Sequence, residues 1–203
     1  MTISQPSDDD LRELISSVRN CTACEDLPLG PKPILQGDPS SKILIVGQAP
    51  GRITHKKGIP FDDPSGVRLR DWMGLSESVF YDPKKIAILP MGFCFPGTGK
   101  SGDLPPRPEC AALWRTQLLN SFKGVELTLI IGQYAIDWHI KDGEKITLTE
   151  RVSRWKDYMP TRLVMPHPSP RNNRWLKRNP WYESEVLPAL KRQISKILDE
   201  KVS

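Results

Sequence analysis

The chain lacks several features that mark specialised classes of protein. It has no run of about 18 apolar residues, which excludes a membrane-spanning helix. Its first ten residues, MTISQPSDDD, carry neither the basic start nor the apolar stretch of a secretory signal. Internal repeats and low-complexity tracts are absent as well. We therefore expect a cytoplasmic protein in a reducing environment.

Length and composition bound the fold and leave the partner open. The chain has 203 residues, of which 38% are apolar and 26% are charged, as in ordinary soluble globular proteins. That length suits one α/β domain over residues 1–203 with its core at about 21–190, and it excludes two large domains. The net charge of +5 favours a polyanionic partner only weakly, because many enzymes with no nucleic-acid role share it.

Four short apolar runs, each bounded by turn residues, predict strands that are buried on both faces. They are residues 42–48, 85–91, 126–132 and 162–167. Apolar residues at helical spacing lie between them, at 66–75, 109–122 and 133–140. A helix of about ten residues after Asp8 and another from about Glu183 to Lys201 flank this pattern. We predict a three-layer α/β sandwich with a central, mostly parallel four-stranded sheet flanked by helices.

Three loops of this predicted fold are candidates for the functional site. Ligands of open α/β sheets bind at the carboxyl ends of the strands. The loops that leave those ends are residues 47–66, 92–110 and 167–181, and they are irregular, basic and rich in glycine and proline. Because a scaffold usually carries its chemistry on such loops, we expect the site there.

The four cysteines form one pattern. Cys21 and Cys24 are a CxxC pair, Cys94 follows after 69 residues, and Cys110 after 15 more. In a reducing compartment such a set favours a metal site over disulfides. Four thiolates can hold tetrahedral zinc or a 4Fe–4S cluster, and spacing alone does not separate the two. The alternative is four unrelated buried cysteines.

Two short motifs suggest a family. GQAPG at 47–51 after the first strand and HPSP at 167–170 after the fourth resemble the signature motifs of the uracil-DNA glycosylase superfamily. The likeness extends from about Cys21 to Leu190. The cysteine spacing resembles the iron–sulfur-containing prokaryotic branches, families four and five. That resemblance implies a structural 4Fe–4S cluster on the four cysteines, with structural zinc as the alternative.

The motifs depart from family four at two positions. The glutamate that assists the attacking water there is Gln48 here, and an amide cannot act as a base. The asparagine that reads uracil is replaced by Pro90. Family five instead places its water-activating aspartate in a stretch resembling PFDDPSG at 60–66. The resemblance therefore implies that role for Asp63, with Asp62 as the neighbour to test.

The resemblance also implies roles for other residues. His167 would donate a hydrogen bond to the departing base, and the backbone of the Gln48 loop would contact the base and orient the water. Phe61 would stack on the flipped base. The substrate-binding set is Gly47, Ala49, Pro50, Gly51, Phe61 and Ser169. The structural alternatives are a backbone hydrogen bond for His167, a turn or helix cap for Asp62 and Asp63, and a core position for Phe61.

The stretch 171–181 mixes basic with large apolar residues, which suits a loop that neutralises phosphates and inserts a side chain into the base stack. A solvated charged face is the alternative. The predicted DNA-binding residues are Arg171, Asn172, Arg174, Trp175, Lys177 and Arg178. Lys56, Lys57 and Lys100 are additional candidates for phosphate contacts.

These patterns predict a monofunctional DNA glycosylase of base excision repair that removes uracil or another deaminated base by base flipping and hydrolysis. One alternative is a superfamily member that binds damaged or single-stranded DNA without hydrolysis, or captures it covalently. A small-molecule enzyme with a phosphate site is disfavoured, because GxGxxG and GxxxxGK spacings are absent. We expect a monomer acting on the nucleoid of a prokaryote, with no membrane partner and no nucleotide cofactor.

Overall fold

A parallel sheet lies at the centre of the computed structural model, which describes residues 7–100 and 102–199. The strands are β1 (Ile43–Val46), β2 (Ile86–Ile88), β3 (Thr98–Gly99), β4 (Gly102–Asp103), β5 (Leu127–Ile131) and β6 (Arg162–Met165). The main sheet has the order β2-β1-β5-β6, and every neighbouring pair is parallel. Strands β3 and β4 form a separate antiparallel hairpin. The predicted four-stranded sheet is confirmed.

Helices flank this sheet, as predicted. They are α1 (Asp8–Arg19), α2 (Arg52–Lys57), α3 (Pro64–Met73), α4 (Glu77–Phe80), α5 (Pro108–Cys110), α6 (Thr116–Ser121), α7 (Gln133–His139), α8 (Leu148–Ser153), α9 (Trp155–Tyr158), α10 (Asn173–Arg178) and α11 (Leu187–Leu198). A π-helical segment at Ala111–Arg115 joins α5 to α6, and another at Tyr182–Val186 precedes α11. Helix α1 packs on α6, and α3 packs on α11.

The two terminal helices follow the sequence signals closely. The side chain of Ser7 accepts a hydrogen bond from the backbone N–H of Asp10, and the side chain of Asp10 accepts one from the backbone N–H of Ser7. These two bonds form a capping box at the start of α1. Pro188 lies in the first turn of α11, directly after the π-helical segment Tyr182–Val186. The predicted end of that helix at Lys201 lies outside the described residues. In the part of the chain that is described, no helix is both long and apolar enough to cross a membrane.

The proline-rich segment before β1 covers one edge of the sheet. Ile34 and Leu35 are buried, as expected of an ordered loop. Gln36 forms an antiparallel bridge with Ile88, and its side chain donates to the carbonyls of Phe80 and Ile86. This segment therefore pairs with β2, whose outer edge would otherwise present unpaired backbone groups.

The three candidate loops are more regular than the sequence predicts. Loop 47–66 contains α2, loop 92–110 contains the β3–β4 hairpin, and loop 167–181 contains a 3-10 turn followed by α10. The prediction of an irregular loop at 171–181 is therefore wrong over α10. Two helices between β5 and β6, α8 and α9, were not predicted. The capping box of Thr147 and Glu150 at the start of α8 was the available signal.

Candidate functional site

A cavity of about 510 Å³ opens where β1, β2 and β6 end, at the carboxyl edge of the sheet. It brings together every residue predicted for catalysis or substrate binding. These are Gly47, Gln48, Ala49, Pro50, Gly51, Phe61, Asp63, His167 and Ser169. Segments more than 100 residues apart in the sequence therefore meet at one site.

The first motif loop is fixed by its own backbone. The carbonyls of Gly47 and Gln48 accept the N–H groups of Met91 and Gly92 at 2.8 and 2.9 Å, which ties the loop after β1 to the loop after β2. The Gln48 side chain donates from Nε2 to the carbonyl of Leu104 at 2.9 Å. The amide is thus a hydrogen-bond donor to the segment that follows the β3–β4 hairpin.

Phe61 is held in the cavity wall in a strained backbone conformation. Its φ of 55° lies in the left-handed region, which is unusual for a bulky residue. The ring contacts the buried Phe80 edge-on, with 6.4 Å between centroids. A β carbon on Gly66 would overlap the Phe61 carbonyl oxygen, so only glycine fits there. Strain of this kind is often stored at functional sites, and here it lies at a residue that lines the cavity.

The side chains of the neighbouring residues Asp62 and Asp63 lie in different surroundings. Asp63 lines the cavity and also caps α3, because its Oδ1 accepts the N–H of Gly66 at 2.9 Å. Its Oδ2 lies 3.4 Å from the hydroxyl of Thr54. Asp62 pairs instead with Lys57 at 2.9 Å. The helix-cap alternative thus describes Asp63 correctly, and the same side chain still faces the cavity.

The second motif presents His167 to the cavity as a neutral imidazole. Burial lowers the pKa of His167 below its usual value and outweighs the opposing effect of Asp63 and Asp103. Its backbone carbonyl accepts the side-chain amide of Asn172 at 2.7 Å. Arg68 on α3 donates to the carbonyl of Ser169 at 3.2 Å, which links the helix that Asp63 caps to the His167 loop.

The comparison with known families agrees with this geometry. A family model described as the uracil DNA glycosylase superfamily matches residues 35–191, which is more than half of the chain. The chain belongs to the uracil DNA glycosylase superfamily. Membership supports a glycosylase-like function that acts on DNA. The matched range includes both motifs, Cys94 and Cys110, whereas Cys21 and Cys24 precede it.

The predicted DNA-binding residues separate into three groups in this superfamily member. Arg171 and Asn172 line the cavity itself. Arg174, Lys177 and Arg178 lie exposed on α10, which begins directly after the cavity-lining residues. Trp175 is half-buried. Its indole donates to the Thr149 hydroxyl at 2.8 Å, and its ring packs edge-on against Trp181 and Tyr182.

Asp103 is a cavity residue that the sequence interpretation missed. It lies at the end of β4 in the hairpin, is exposed at the cavity mouth, and acts electrostatically on His167. Its segment was marked as a candidate loop, but two-residue strands rich in glycine have no periodicity to reveal a hairpin. An acidic residue in that loop was the only available signal.

The four cysteines surround a second, small cavity of about 10 Å³. All four are free thiols, and burial raises the pKa of Cys94 to about 11. The Trp114 indole donates to the sulfur of Cys21 at 3.3 Å. Over residues 7–100 and 102–199, no group of three or more His, Cys, Asp or Glu is arranged to hold a metal ion. Four cysteine sulfurs around one small cavity suit a metal group that is ligated by sulfur, although they do not have the arrangement of a complete metal site.

Proposed function

We propose that the protein is a monofunctional DNA glycosylase that removes uracil or another deaminated base by hydrolysing the N-glycosidic bond. The observation that carries the proposal is the meeting of Phe61, Asp63 and His167 in one cavity. Its volume of about 510 Å³ is in the usual range for a ligand pocket. A base enters such a pocket only after it is extruded from the helix, which costs a few kcal/mol and is easiest for a mismatched base.

The flipped base would stack on Phe61, whose ring is braced by Phe80. Base stacking on an aromatic side chain contributes about 1–3 kcal/mol. The loop from Gly47 to Gly51 would contact the edge of the base through its backbone. Pro90 also lines the cavity and has no group that could donate a hydrogen bond.

The bond between the sugar carbon and the base nitrogen would break with its electron pair moving to the base. His167 would then donate a hydrogen bond to the base oxygen on which negative charge develops. Its lowered pKa keeps the imidazole neutral near pH 7, so the ring donates without giving up a whole proton. A preorganised donor of this kind contributes about 3–4 kcal/mol to the transition state.

The positive charge left on the sugar would be stabilised by Asp63, which would also hold the attacking water. Carboxylates play both parts in glycoside hydrolysis. Asp63 is better placed than Asp62, because Asp63 lines the cavity while Asp62 pairs with Lys57.

The DNA backbone would run along α10. Its three exposed cations, Arg174, Lys177 and Arg178, follow directly on the cavity wall. Neutralising phosphates releases counterions, so binding by this helix would weaken as salt rises. Trp175 is held by Thr149 and the neighbouring aromatic rings, so we assign it to supporting α10.

We infer that Cys21, Cys24, Cys94 and Cys110 hold a 4Fe–4S cluster, with structural zinc as the alternative. Either group, when bound, would serve as a structural cross-link between residues 21–24 and the segments on both sides of the hairpin. Anaerobic purification followed by iron, sulfide and zinc analysis tests this inference. A brown protein with about four irons per chain supports the cluster. A colourless protein with neither metal contradicts both assignments.

Base release from oligonucleotides tests the proposed function. Single- and double-stranded substrates with one uracil, hypoxanthine or xanthine are incubated with the protein and then cleaved with alkali. We expect strand scission with at least one lesion and the free base as a product. His167→Ala should slow release by about 100-fold or more, whereas the matched control Asp62→Asn should stay near the wild-type rate.

Two other outcomes would contradict hydrolysis. A protein–DNA band that survives denaturation would mean covalent capture. Salt-sensitive binding with no scission on any lesion would mean a non-hydrolytic binder. Gln48 and Pro90 at the positions of reactive family residues make both outcomes worth measuring.

A further inference from the structure

The β3–β4 hairpin places a second carboxylate at the cavity. Asp103 lines the cavity together with His167 and Asp63. One of its oxygens, Oδ2, lies 3.3 Å from the point that a β carbon on Gly51 would occupy. The carboxylate therefore lies between the hairpin and the first motif loop, at the wall of the cavity.

The two carboxylates of the cavity differ in their partners. Both oxygens of Asp63 have neighbours in the protein, since Oδ1 accepts the N–H of Gly66 and Oδ2 lies near the Thr54 hydroxyl. Asp103 has no side-chain hydrogen bond or ion pair with any residue that the structure describes. Its oxygens are thus available to a molecule that enters the cavity, and a carboxylate can accept up to about four hydrogen bonds.

The hairpin that carries Asp103 is held by both motif loops. Gln48 of the first motif donates to the carbonyl of Leu104, the residue after Asp103, at 2.9 Å. The guanidinium of Arg171, directly after the second motif, packs so closely on Gly102 that a β carbon there would overlap it. Asp103 therefore lies between two anchored residues, and its position depends on the motif loops.

The contact of Gln48 requires an amide. A carbonyl oxygen can only accept a hydrogen bond, and the amide nitrogen of glutamine donates one. A glutamate at this position would place a carboxylate against the Leu104 carbonyl and close to Asp103. The glutamine is thus matched to a hairpin that itself supplies an acid to the cavity.

We propose that Asp103 is a second catalytic carboxylate and that Gln48 is the positioning residue that holds it. Asp103 would accept a proton from the attacking water while the water oxygen bonds to the sugar carbon. The bond from that carbon to the base breaks with its electron pair moving to the base, whose oxygen His167 contacts. This inference rests on the proposed glycosylase function.

Single-turnover base release tests the proposal, with Asp103→Asn, Gln48→Met and the double variant on the substrate that the wild type cleaves. Asp103→Asn should lower the rate constant by about 100-fold or more, as expected for loss of an acid–base group. Its affinity for DNA that carries an uncleavable lesion analogue should change by less than about threefold, because Asp103 contacts the water and not the phosphates. Asp62→Asn, outside the cavity, is the matched control.

The double variant separates positioning from a general structural effect. If Gln48 acts through Asp103, Gln48→Met, which removes the amide donor without adding a carboxylate, slows the wild type by about tenfold or more and slows Asp103→Asn hardly further. Additive losses would overturn the positioning role. Base release by a folded Asp103→Asn variant within threefold of wild type would overturn the catalytic role and leave the glycosylase function intact. A wild-type protein that releases no base would overturn both.

Discussion

The contact of the buried Arg115 with the partly buried His139 should make the stability of the fold depend on pH. Arg115 is 1% exposed, and its Nη2 lies 2.9 Å from Nε2 of His139. A guanidinium only donates hydrogen bonds, so Nε2 must be the acceptor and the neutral ring carries its proton on Nδ1. Arg115 also donates to the carbonyls of Leu89 and Pro90, which fixes its position. A proton on Nε2 would break the bond and place two cations side by side.

The size of the effect follows from the shift of the His139 pKa. Burial, reinforced by the charges of Arg115, Arg162 and Lys141, lowers that pKa to about 3. In the unfolded chain the ring titrates near about 6.5. Below that pH the unfolded state binds a proton at His139 that the folded state does not bind. The contribution of His139 to the free energy of unfolding is therefore fully present above about pH 6.5 and falls as the pH drops toward 3. At about 1.4 kcal/mol per pH unit, the loss at pH 5 is about 2 kcal/mol.

Urea unfolding at pH 7.5 and pH 5 measures this loss. His139→Gln keeps an acceptor for Arg115 and cannot be protonated, so wild type should lose about 2 kcal/mol more than the variant between the two pH values. Carboxylates that titrate in the same range cancel in this difference. His55→Gln is the comparison, because the pKa of His55 is also lowered by burial, but His55 is less buried and its replacement should flatten the slope less than His139→Gln does. Equal slopes for wild type and His139→Gln would refute a neutral buried His139.

Three further predictions concern catalysis, DNA binding and the core. The single-turnover rate constant of base release should stay constant from pH 9 down past the usual histidine range, because the pKa of His167 is lowered despite Asp63 and Asp103. A rate constant that rises on acidification would contradict a neutral donor. Replacing Arg174, Lys177 and Arg178 with alanine should reduce the slope of log affinity for DNA against log salt by about 3. An unchanged slope would show that the DNA backbone does not contact α10. Tyr182→Phe should leave the free energy of unfolding within about 1 kcal/mol of wild type or raise it, because the buried hydroxyl has no hydrogen-bond partner among the residues described, and a large loss in urea unfolding would reveal one.

The sheet was predictable because each strand is an apolar run that is long enough to be recognised and is flanked by turn residues. Residues 126–132, for example, contain β5, which lies between β1 and β6 and is buried at four of its five positions. The short elements were not predictable on the same grounds. Strands β3 and β4 have two residues each, and Gly102 in β4 adopts a φ of 143°, which sequence periodicity does not report.

The motifs predicted which residues meet in the cavity, but they did not predict how those residues are held. GQAPG and HPSP correctly implied that Gln48 and His167 share a site, because both follow strands of one parallel sheet. The strained φ of Phe61 depends on close packing against Gly66, and the neutral state of His167 depends on burial. Both are tertiary effects, so no local pattern contains them.

A series of direct contacts links the four cysteines to the cavity, so a metal group bound by the cysteines would affect the cavity wall. Cys110 ends α5, and the π-helical segment that follows carries Arg115. Arg115 donates to the carbonyl of Pro90, and Pro90 lines the cavity. Arg115 has no carboxylate partner among the residues that the structure describes. Burying such a guanidinium is costly, and well-placed carbonyls or a nearby negative charge offset that cost. A sulfur-ligated group at Cys110 would supply such charge, and its loss would therefore disturb the cavity wall through Arg115 even though no cysteine lines the cavity.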